Sequence, residues 1–410
     1  MARKTRLKPL SEQVLVITGA TSGIGLATTR EAVGRGARVF MIARNEEALR
    51  TLAQELRAKG GVVDFAVADV GVERELATAA ERCLDVFGGW DTWVNDAGVT
   101  IVGPVRETTV QDQRRLFDTN YWGVVYGSLI AVEHLRAKPG GGALINVGSV
   151  VGDAAAPLQA VYSASKHAVK GFTNGLRMDL MRERAPVSVT LVKPSALDSP
   201  INEHARNLTD TAIKMPPPVY STTLAAEAIL HCAERRVREI TVGGGGRSLI
   251  GLLNAVPAVS HPVAARVMPM LYRDRKAKWR PVDDSLHQAG RDGRVRADYA
   301  RVRQRSFLTE MQMRPWLTVG AALALGVVAG GGTLVGKRLK KRRRERETRT
   351  ERRGPPRGAV SGLLALAATA GGAWFARRRL REIGARQEGW RAVPPLARPD
   401  PRDAEVLARI

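Results

Sequence analysis

The sequence predicts an α/β fold, with a parallel sheet of seven strands followed by a helical extension. Seven short runs rich in β-branched residues alternate with helical patterns between residues 14 and 245, which is typical of repeated strand–helix–strand units. A glycine-rich turn joins the first strand to the first helix. Beyond residue 246 the alternation stops, and an apolar, proline-containing stretch with a helical pattern begins.

Each predicted strand is a short apolar run, and helical segments separate every neighbouring pair. Parallel strands of this kind place their carboxyl ends along one edge of the sheet, where such folds bind ligands. We therefore expect functional residues directly after the strands. The seven candidates are Val14–Thr18, Arg38–Ala43, Val62–Ala68, Thr92–Asn95, Ala143–Val147, Ser188–Val192 and Ile240–Val242.

Composition narrows the classes of protein further. The 410 residues are 44% hydrophobic and 25% charged, which excludes a wholly disordered chain and a polytopic membrane protein. Lys and Arg number 64 against 40 Asp and Glu, a formal net charge of +24, so contact with anions is expected. Cys83 and Cys232 lie far apart and the six histidines are scattered, so neither a disulfide nor a metal site is predicted.

The positive charge is concentrated towards the carboxyl terminus. Residues 337–358 hold twelve basic and three acidic side chains. We divide the chain accordingly into an arm, an α/β domain, an appendage with a basic linker, two apolar runs around a basic loop, and a tail. The arm is 1–9, the α/β domain is 10–248, and the appendage with its linker is 249–315. The apolar runs are 316–336 and 359–376, the basic loop between them is 337–358, and the tail is 377–410.

The two apolar runs are candidate membrane helices. Residues 316–336 and 359–376 carry no charge and are 21 and 18 residues long, enough to span a bilayer. A buried helical hairpin is the alternative, and a two-pass arrangement would carry the basic loop across the membrane against the positive-inside bias. Either only one run spans, or the pair is re-entrant or lies at the surface with the loop on anionic lipid.

The basic loop also has other interpretations, as a solvated linker or a nucleic-acid patch; its place between two apolar runs favours lipid over both. No secretory signal precedes the first strand. We therefore expect a membrane-associated protein whose α/β domain lies on the cytosolic side, with membrane lipid as a partner and no nucleic acid.

The turn after the first strand has the pattern of a phosphate-binding loop. Thr18 to Gly25 reads TGATSGIG and opens into a helical segment. Glycines let the backbone approach a pyrophosphate, and the helix amino terminus offers N–H groups and a positive dipole end. The turn therefore predicts these cofactor-binding residues: Gly19, Thr21, Ser22, Gly23, Ile24 and Gly25.

Residues after the next strands predict the rest of a dinucleotide site. Arg44 follows strand two, where an acidic residue would hold a ribose 2'-hydroxyl and an arginine can pair with a 2'-phosphate; NADP(H) is therefore favoured over NAD(H), although an exposed loop arginine is the alternative. Asp69 and Val70 are placed to contact an adenine edge. After strand four, small residues leave room for the cofactor ribose; the predicted contacts there are Asn95, Ala97 and Gly98.

The catalytic prediction rests on four residues in order. Tyr162 and Lys166 are four apart in a helical segment and share one face. A phenol has a pKa of about 10, and a nearby cation lowers it by favouring the phenolate. Ser149 can hydrogen-bond a substrate oxygen as charge develops, and Asn120 could hold a water on the proton path behind Lys166.

In these motifs the sequence resembles the short-chain dehydrogenase/reductase family over residues 10–245. The matching motifs are TGATSGIG, NDAG at 95–98, YSASK at 162–166, and Lys193-Pro194-Ser195. The resemblance implies a Rossmann-type doubly wound fold and an NAD(P)-dependent oxidoreductase, usually a homo-oligomer. Tyr162 would be the general acid/base, and Pro194 and Ser195 would contact the cofactor.

Two residues depart from the family pattern. Asp96 stands where the family usually has asparagine, and Ser195 where it usually has glycine. Neither belongs to the catalytic set, so they bear on cofactor geometry rather than on the type of reaction.

Residues 199–220 correspond to a substrate-binding lid, for which an ordinary surface connection is the alternative. Its apolar residues, together with Val151 and Leu158, favour a lipophilic alcohol or carbonyl substrate. A catalytically silent dinucleotide-binding scaffold or sensor is the competing class, and the intact Ser149, Tyr162 and Lys166 argue against it. The apolar lid residues are Ile201, Leu208, Ile213, Met215 and Pro216 to Pro218.

Overall fold

A computed structural model describes residues 7–274, 284–290 and 292–314. All of these residues fall within one compact unit of the chain. The predicted apolar runs 316–336 and 359–376, the basic loop and the tail lie outside the described residues, as does most of the amino-terminal arm. Among the described helices, none is both long and apolar enough to cross a membrane.

The predicted parallel sheet of seven strands is confirmed. Its spatial order is β3-β2-β1-β4-β5-β6-β7, and every neighbouring pair is parallel. The order reverses between β1 and β4, which is the doubly wound arrangement with its ligand crevice at that point. The strands are β1 Val14–Thr18, β2 Arg38–Ala43, β3 Val63–Val67, β4 Thr92–Asn95, β5 Gly142–Val147, β6 Val187–Pro194 and β7 Glu239–Val242.

Helices cover both faces of the sheet, and each face has its own apolar core. Helices α1, α2 and α7 bury their apolar side chains on one face, and α3, α5 and α6 do so on the other. The helices are α1 Gly23–Gly34, α2 Glu46–Ala58, α3 Glu73–Phe87, α4 Val110–Phe117, α5 Gly123–Ala137, α6 Ala160–Arg182, α7 Thr222–Glu234, α8 Gly244–Ala255, α9 Pro257–Tyr272 and α10 Phe307–Met313.

Helix α2 illustrates why these segments fold as they do. Asn45 caps its first turn, because its side chain accepts a hydrogen bond from the Ala48 N–H at 3.0 Å. Leu49, Leu52 and Leu56 recur at helical spacing and are buried against the sheet. The cap also fixes where the helix begins, and therefore how Arg44 leaves the end of β2.

The chain after β7 packs onto the domain, in contrast to the linker predicted for part of it. Residues 302–303 pair with 219–220 as a short parallel ladder. The buried Thr309 of α10 donates its hydroxyl proton to Thr241 O at 3.1 Å and accepts from Gly243 N at 3.0 Å. These bonds tie α10 to the end of β7, so residues 302–314 complete the domain edge.

Candidate active site

A cavity of about 510 Å³ lies at the carboxyl ends of the strands, where β1 and β4 diverge. It runs from the glycine-rich turn past the predicted catalytic group to α8 and α9. Three predicted site residues, Gly25, Asn95 and Asn120, do not line it. The predicted residues that do are Gly19, Thr21, Ser22, Gly23, Ile24, Arg44, Asp69, Val70, Ala97, Gly98, Ser149, Tyr162, Lys166, Pro194 and Ser195.

The glycine-rich turn leaves no room for side chains at two positions. Gly19 has φ +69°, and a Cβ there would lie 2.9 Å from Ala97 Cα. A Cβ at Gly25 would lie 2.2 Å from the Gly19 carbonyl oxygen, so Gly25 serves helix-to-strand packing rather than the cavity. Gly23, with φ +52°, begins α1 at the cavity wall. This turn fits the close backbone approach that a pyrophosphate requires.

A charged cluster lies at the end of the cavity next to β2. Asp69 forms an ion pair with Arg115, and its Oδ2 lies 3.8 Å from Arg44 Nη1. The carboxylate predicted to meet an adenine edge is therefore already engaged by two guanidinium groups. Burial lowers the pKa of Arg44, an effect that the Asp69 carboxylate opposes.

Several buried polar atoms that line this cavity have no hydrogen-bond partner. Among the described residues these are Arg44 Nη1 and the hydroxyls of Thr100, Thr119 and Ser285. Unpaired buried donors are costly in a folded protein, and a polar ligand in the cavity would satisfy them. These atoms, with the glycine turn, fit a dinucleotide that carries several oxygen and nitrogen acceptors.

Ser149, Tyr162 and Lys166 come together at the centre of the cavity. The Ser149 hydroxyl lies beside the Tyr162 phenol and acts to lower its pKa. Lys166, only 4% exposed, donates to Val147 O at 3.0 Å, and its Nζ lies 5.8 Å from the centre of the Tyr162 ring. Helix α6 presents the tyrosine and the lysine one turn apart, while Ser149 follows β5.

The lowered tyrosine pKa expected from the sequence is not found in this structure. Burial raises the pKa of Tyr162 to about 12, the Ser149 hydrogen bond acts to lower it, and the Asp96 carboxylate raises it. Burial also lowers the pKa of Lys166 to about 8, an effect that Asp96 opposes. The reason is geometric, because Lys166 is held on Val147 O and faces Asp96 as its counter-charge.

The Asp96 carboxylate therefore influences the pKa of both Tyr162 and Lys166. The sequence analysis had noted this residue only as a departure from the asparagine usual in the family. Burial raises its pKa to about 7, against the opposing effects of Lys166 and of a hydrogen bond from the Gly25 N–H. The other departure, Ser195, donates its hydroxyl proton to Val242 O at 2.8 Å and so joins β6 to the end of β7.

Asn95 and Asn120 are placed differently from what the sequence suggested. Asn95 is 2% exposed, and its amide nitrogen donates to Asn146 Oδ1 at 2.9 Å beneath the site. Asn120 lies in a π-helical turn, Asp118–Trp122, between α4 and α5. Its amide nitrogen donates to Val99 O at 2.9 Å and to Ser165 at 3.1 Å, and its oxygen accepts from Val99 N. The side chain thus anchors the loop after β4 to α6.

Sequence reasoning missed the wall formed by α8 and α9. Six of their apolar side chains line the cavity opposite the catalytic group, joined by Ile201, Met215 and Val151, whereas Leu208, Ile213 and Leu158 lie outside the cavity lining. The helical periodicity of 249–271 was visible, but nothing in it indicated which face met the site. The wall residues are Leu249, Ile250, Leu253, Met268, Leu271 and Tyr272.

Sequence reasoning also missed a segment that we call the strap, residues 284–290 and 292–298. Arg44 Nη2 donates to Ser285 O at 2.6 Å, and Asn45 Nδ2 donates to Gly290 O at 3.2 Å. The Gly23 N–H at the start of α1 donates to Arg294 O at 3.0 Å. The strap therefore lies across the end of the cavity formed by β2 and the glycine-rich turn.

The doubly wound sheet, its glycine turn and the Ser149–Tyr162–Lys166 group define an oxidoreductase of the dinucleotide-fold class. A family profile described as short chain dehydrogenase matches residues 13–209. The uncharacterized oxidoreductase YxnA of Bacillus subtilis is 41% identical over 335 residues, which cover 80% of this chain and 92% of that protein. The chain therefore belongs to the short-chain dehydrogenase/reductase family.

Two further comparisons agree with this assignment. The putative oxidoreductase SadH of Mycobacterium tuberculosis is 31% identical over 264 residues, 64% of this chain and 92% of that one. A crystal structure of a short-chain dehydrogenase/reductase from Burkholderia phymatum in complex with NAD superposes with a TM-score of 0.54, at 24% identity, covering 63% of this chain and 96% of that one. The second likeness concerns the fold alone.

Proposed function

We propose that the protein interconverts an alcohol and a carbonyl group with a nicotinamide dinucleotide as hydride carrier, and with Tyr162 as the general acid/base. The observation that carries this proposal is the position of the Tyr162 phenol. It lies beside the Ser149 hydroxyl and one helical turn from Lys166, in a cavity bounded by a phosphate-binding turn at one end and an apolar wall at the other.

Each residue of the catalytic group then has a defined role in the reaction. A bound nicotinamide would supply or accept the hydride. Ser149 holds the substrate oxygen, and Tyr162 Oη donates a proton to that oxygen in reduction or removes it in oxidation. The raised pKa keeps Tyr162 protonated at neutral pH, which suits the reductive direction. Ile201 and Met215 of the lid help to exclude water.

The proposed cofactor is NAD(P)(H), held by the glycine-rich turn, Arg44, Asp69 and the loop after β4. Arg44 supports the preference for NADP(H), since its Nη1 has no hydrogen-bond partner and is a donor for a 2'-phosphate. The Burkholderia protein was solved with NAD, so the family fold accepts the cofactor without that phosphate.

The substrate is proposed to be a lipophilic alcohol or ketone. Its support is the apolar wall of α8 and α9, which contributes Leu249, Leu253 and Met268 to the cavity. Apolar walls with a few placed polar groups are typical of sites for apolar small molecules.

The test is turnover of a panel of medium- and long-chain ketones with NADPH or NADH. Tyr162→Phe is expected to lower kcat about 1,000-fold, as removal of a general acid does, while the dissociation constant for the cofactor stays within twofold. Tyr126→Phe, outside the cavity, is the matched control. Equal turnover by Tyr162→Phe and the parent would overturn the mechanism, and cofactor binding with no turnover of any carbonyl would favour the scaffold class.

We infer that the protein works at the cytosolic face of a membrane. The support is the two uncharged runs around the basic loop and the apolar side chains that α8 and α9 expose, among them Val259 and Met270, each 67% exposed. Flotation of the full-length protein with vesicles containing anionic lipid tests this, and protein that stays at the bottom of the gradient would contradict it.

A homo-oligomer is also proposed, because α5 and α6 expose apolar side chains on another surface of the protein. Leu129 of α5 and Met178 and Met181 of α6 are more than half exposed, on helices that cover one face of the sheet. Light scattering after size-exclusion chromatography tests this, and a monomer mass would contradict it.

A further inference from the structure

The charged end of the cavity is already balanced before any ligand arrives. Arg44 and Arg115 face the carboxylates of Asp69 and Asp292, two positive charges against two negative ones. Asp69 is shared by both arginines. Asp292 and Arg44 line the same cavity, and the charge of the Asp292 carboxylate acts to raise the pKa of Arg44.

Asp292 is fixed in place by the glycine-rich turn. Thr21 Oγ1 donates to Asp292 Oδ2 at 2.7 Å. The next residue, Gly293, has φ +95°, and its N–H donates to Thr21 O at 2.9 Å. Two hydrogen bonds to one residue of the turn hold the carboxylate at the cavity edge.

The rest of the strap fixes this arrangement from the other side. Leu286 is fully buried, in an apolar cluster with Val99, Leu116 and Val161. Arg296 Nε donates to the buried Asp198 at 2.8 Å. Ser285, 6% exposed, lines the cavity and has a buried hydroxyl without a hydrogen-bond partner. The strap is thus anchored at both ends and presents polar groups to the ligand between its anchors.

Dinucleotide folds usually take the acid for the ribose hydroxyl from the end of strand two, where this chain has Arg44. We propose that Asp292 of the strap is a specificity-determining residue of the cofactor site. Its carboxylate offers an acceptor to a ribose hydroxyl and repels a 2'-phosphate, so Asp292 and Arg44 together set the preference between NAD(H) and NADP(H). This inference rests on the proposed function.

The experiment measures dissociation constants of the full-length protein for NADPH and NADH, by nicotinamide fluorescence. Asp292→Asn keeps the acceptor for Thr21 and removes one negative charge. A 2'-phosphate carries nearly two charges, and one such interaction at short range is worth about tenfold or more in binding. We expect the ratio of the NADPH to the NADH dissociation constant to fall at least about tenfold.

Asp298→Asn is the matched control, since Asp298 lies on the same strap with its side chain 71% exposed; its ratio should stay within twofold of the parent. Asp292→Ser serves as the second variant if the first does not fold, and the same shift is expected. Arg44→Ala should move the ratio in the opposite direction. An unchanged ratio in a folded Asp292 variant overturns this inference alone, whereas folded parent protein that binds neither nucleotide overturns the proposed function as well.

Discussion

Two regions build the cavity by different means. The catalytic side comes from short motifs next to strand ends, with Ser149 after β5, and Tyr162 and Lys166 on α6. The apolar wall comes from α8 and α9, and the strap follows them in the chain. Hydrogen bonds join the strap to Thr21 and Arg44, which lie 271 and 241 positions before their partners. Short motifs therefore identify the reaction centre, while the remaining walls of the cavity depend on α8, α9 and the strap.

The largest effect on stability is expected from truncating the strap's apolar anchor. Leu286→Ala removes a fully buried side chain, and such changes cost about 2–5 kcal/mol. Urea unfolding measures the loss. The exposed neighbour Gln288→Ala is the control, with a change below about 0.5 kcal/mol. If Leu286→Ala left the unfolding free energy unchanged, the strap would contribute nothing to the stability of the domain.

A smaller loss is expected at the second anchor of the distal chain. Thr309→Val removes a hydroxyl that bonds both Thr241 O and Gly243 N, leaving two buried backbone groups unpaired at a cost of about 2–3 kcal/mol. Phe307→Ala on the same helix, 73% exposed, is the control. A single cooperative transition is expected by both fluorescence and circular dichroism. Two separate transitions would show that residues 302–314 fold apart from the sheet.

The smallest effect on stability is expected at Asp96, next to the catalytic residues. The pKa of Asp96 is raised to about 7 in the fold, so the native protein retains a proton that the unfolded chain has lost, and stability declines as pH rises towards 7. Asp96→Asn removes this decline. Because Lys166 loses its counter-charge in the variant, we expect a net gain of only about 1 kcal/mol at pH 7 relative to pH 4.

The measurement is the unfolding free energy of parent and variant at both pH values. The exposed Asp85→Asn on α3 is the control, for which the difference between the two pH values should equal that of the parent. A variant that loses stability between pH 4 and pH 7 as steeply as the parent would assign the raised pKa to another group. Removal of the Asp96 charge should also shift the oxidative pH–rate profile to lower pH, since this carboxylate raises the pKa of Tyr162.

The sequence was sufficient for the sheet because strand signals are local. Val14–Thr18, Arg38–Ala43 and Thr92–Asn95 have the bounds predicted for them, and the other four strands differ by one or two residues at their ends. Local patterns also explain why Ser149, Tyr162 and Lys166 could be predicted to lie together. Ser149 directly follows a strand, and Tyr162 and Lys166 are one helical turn apart.

Asn95 was expected at the cofactor because its motif lies beside the site, but motif spacing does not say which way a side chain points. The strap escaped prediction for another reason. Its bonds to Arg44, Asn45 and Gly23 are accepted by backbone carbonyls, which every residue possesses, so no side-chain pattern marks them. Its irregular backbone also lacks the periodicity by which helices and strands are recognised.

The hydrogen bond between Thr21 and Asp292 joins residues 271 positions apart. During synthesis, the glycine-rich turn, Arg44 and the catalytic group all leave the ribosome long before the strap does. A nascent chain that ends near residue 245 holds every motif of the family but lacks both the apolar wall and the acid opposite Arg44. The proposed discrimination between the two cofactors would thus be among the last properties the domain acquires, and pairing over so great a separation belongs to the slow steps of folding.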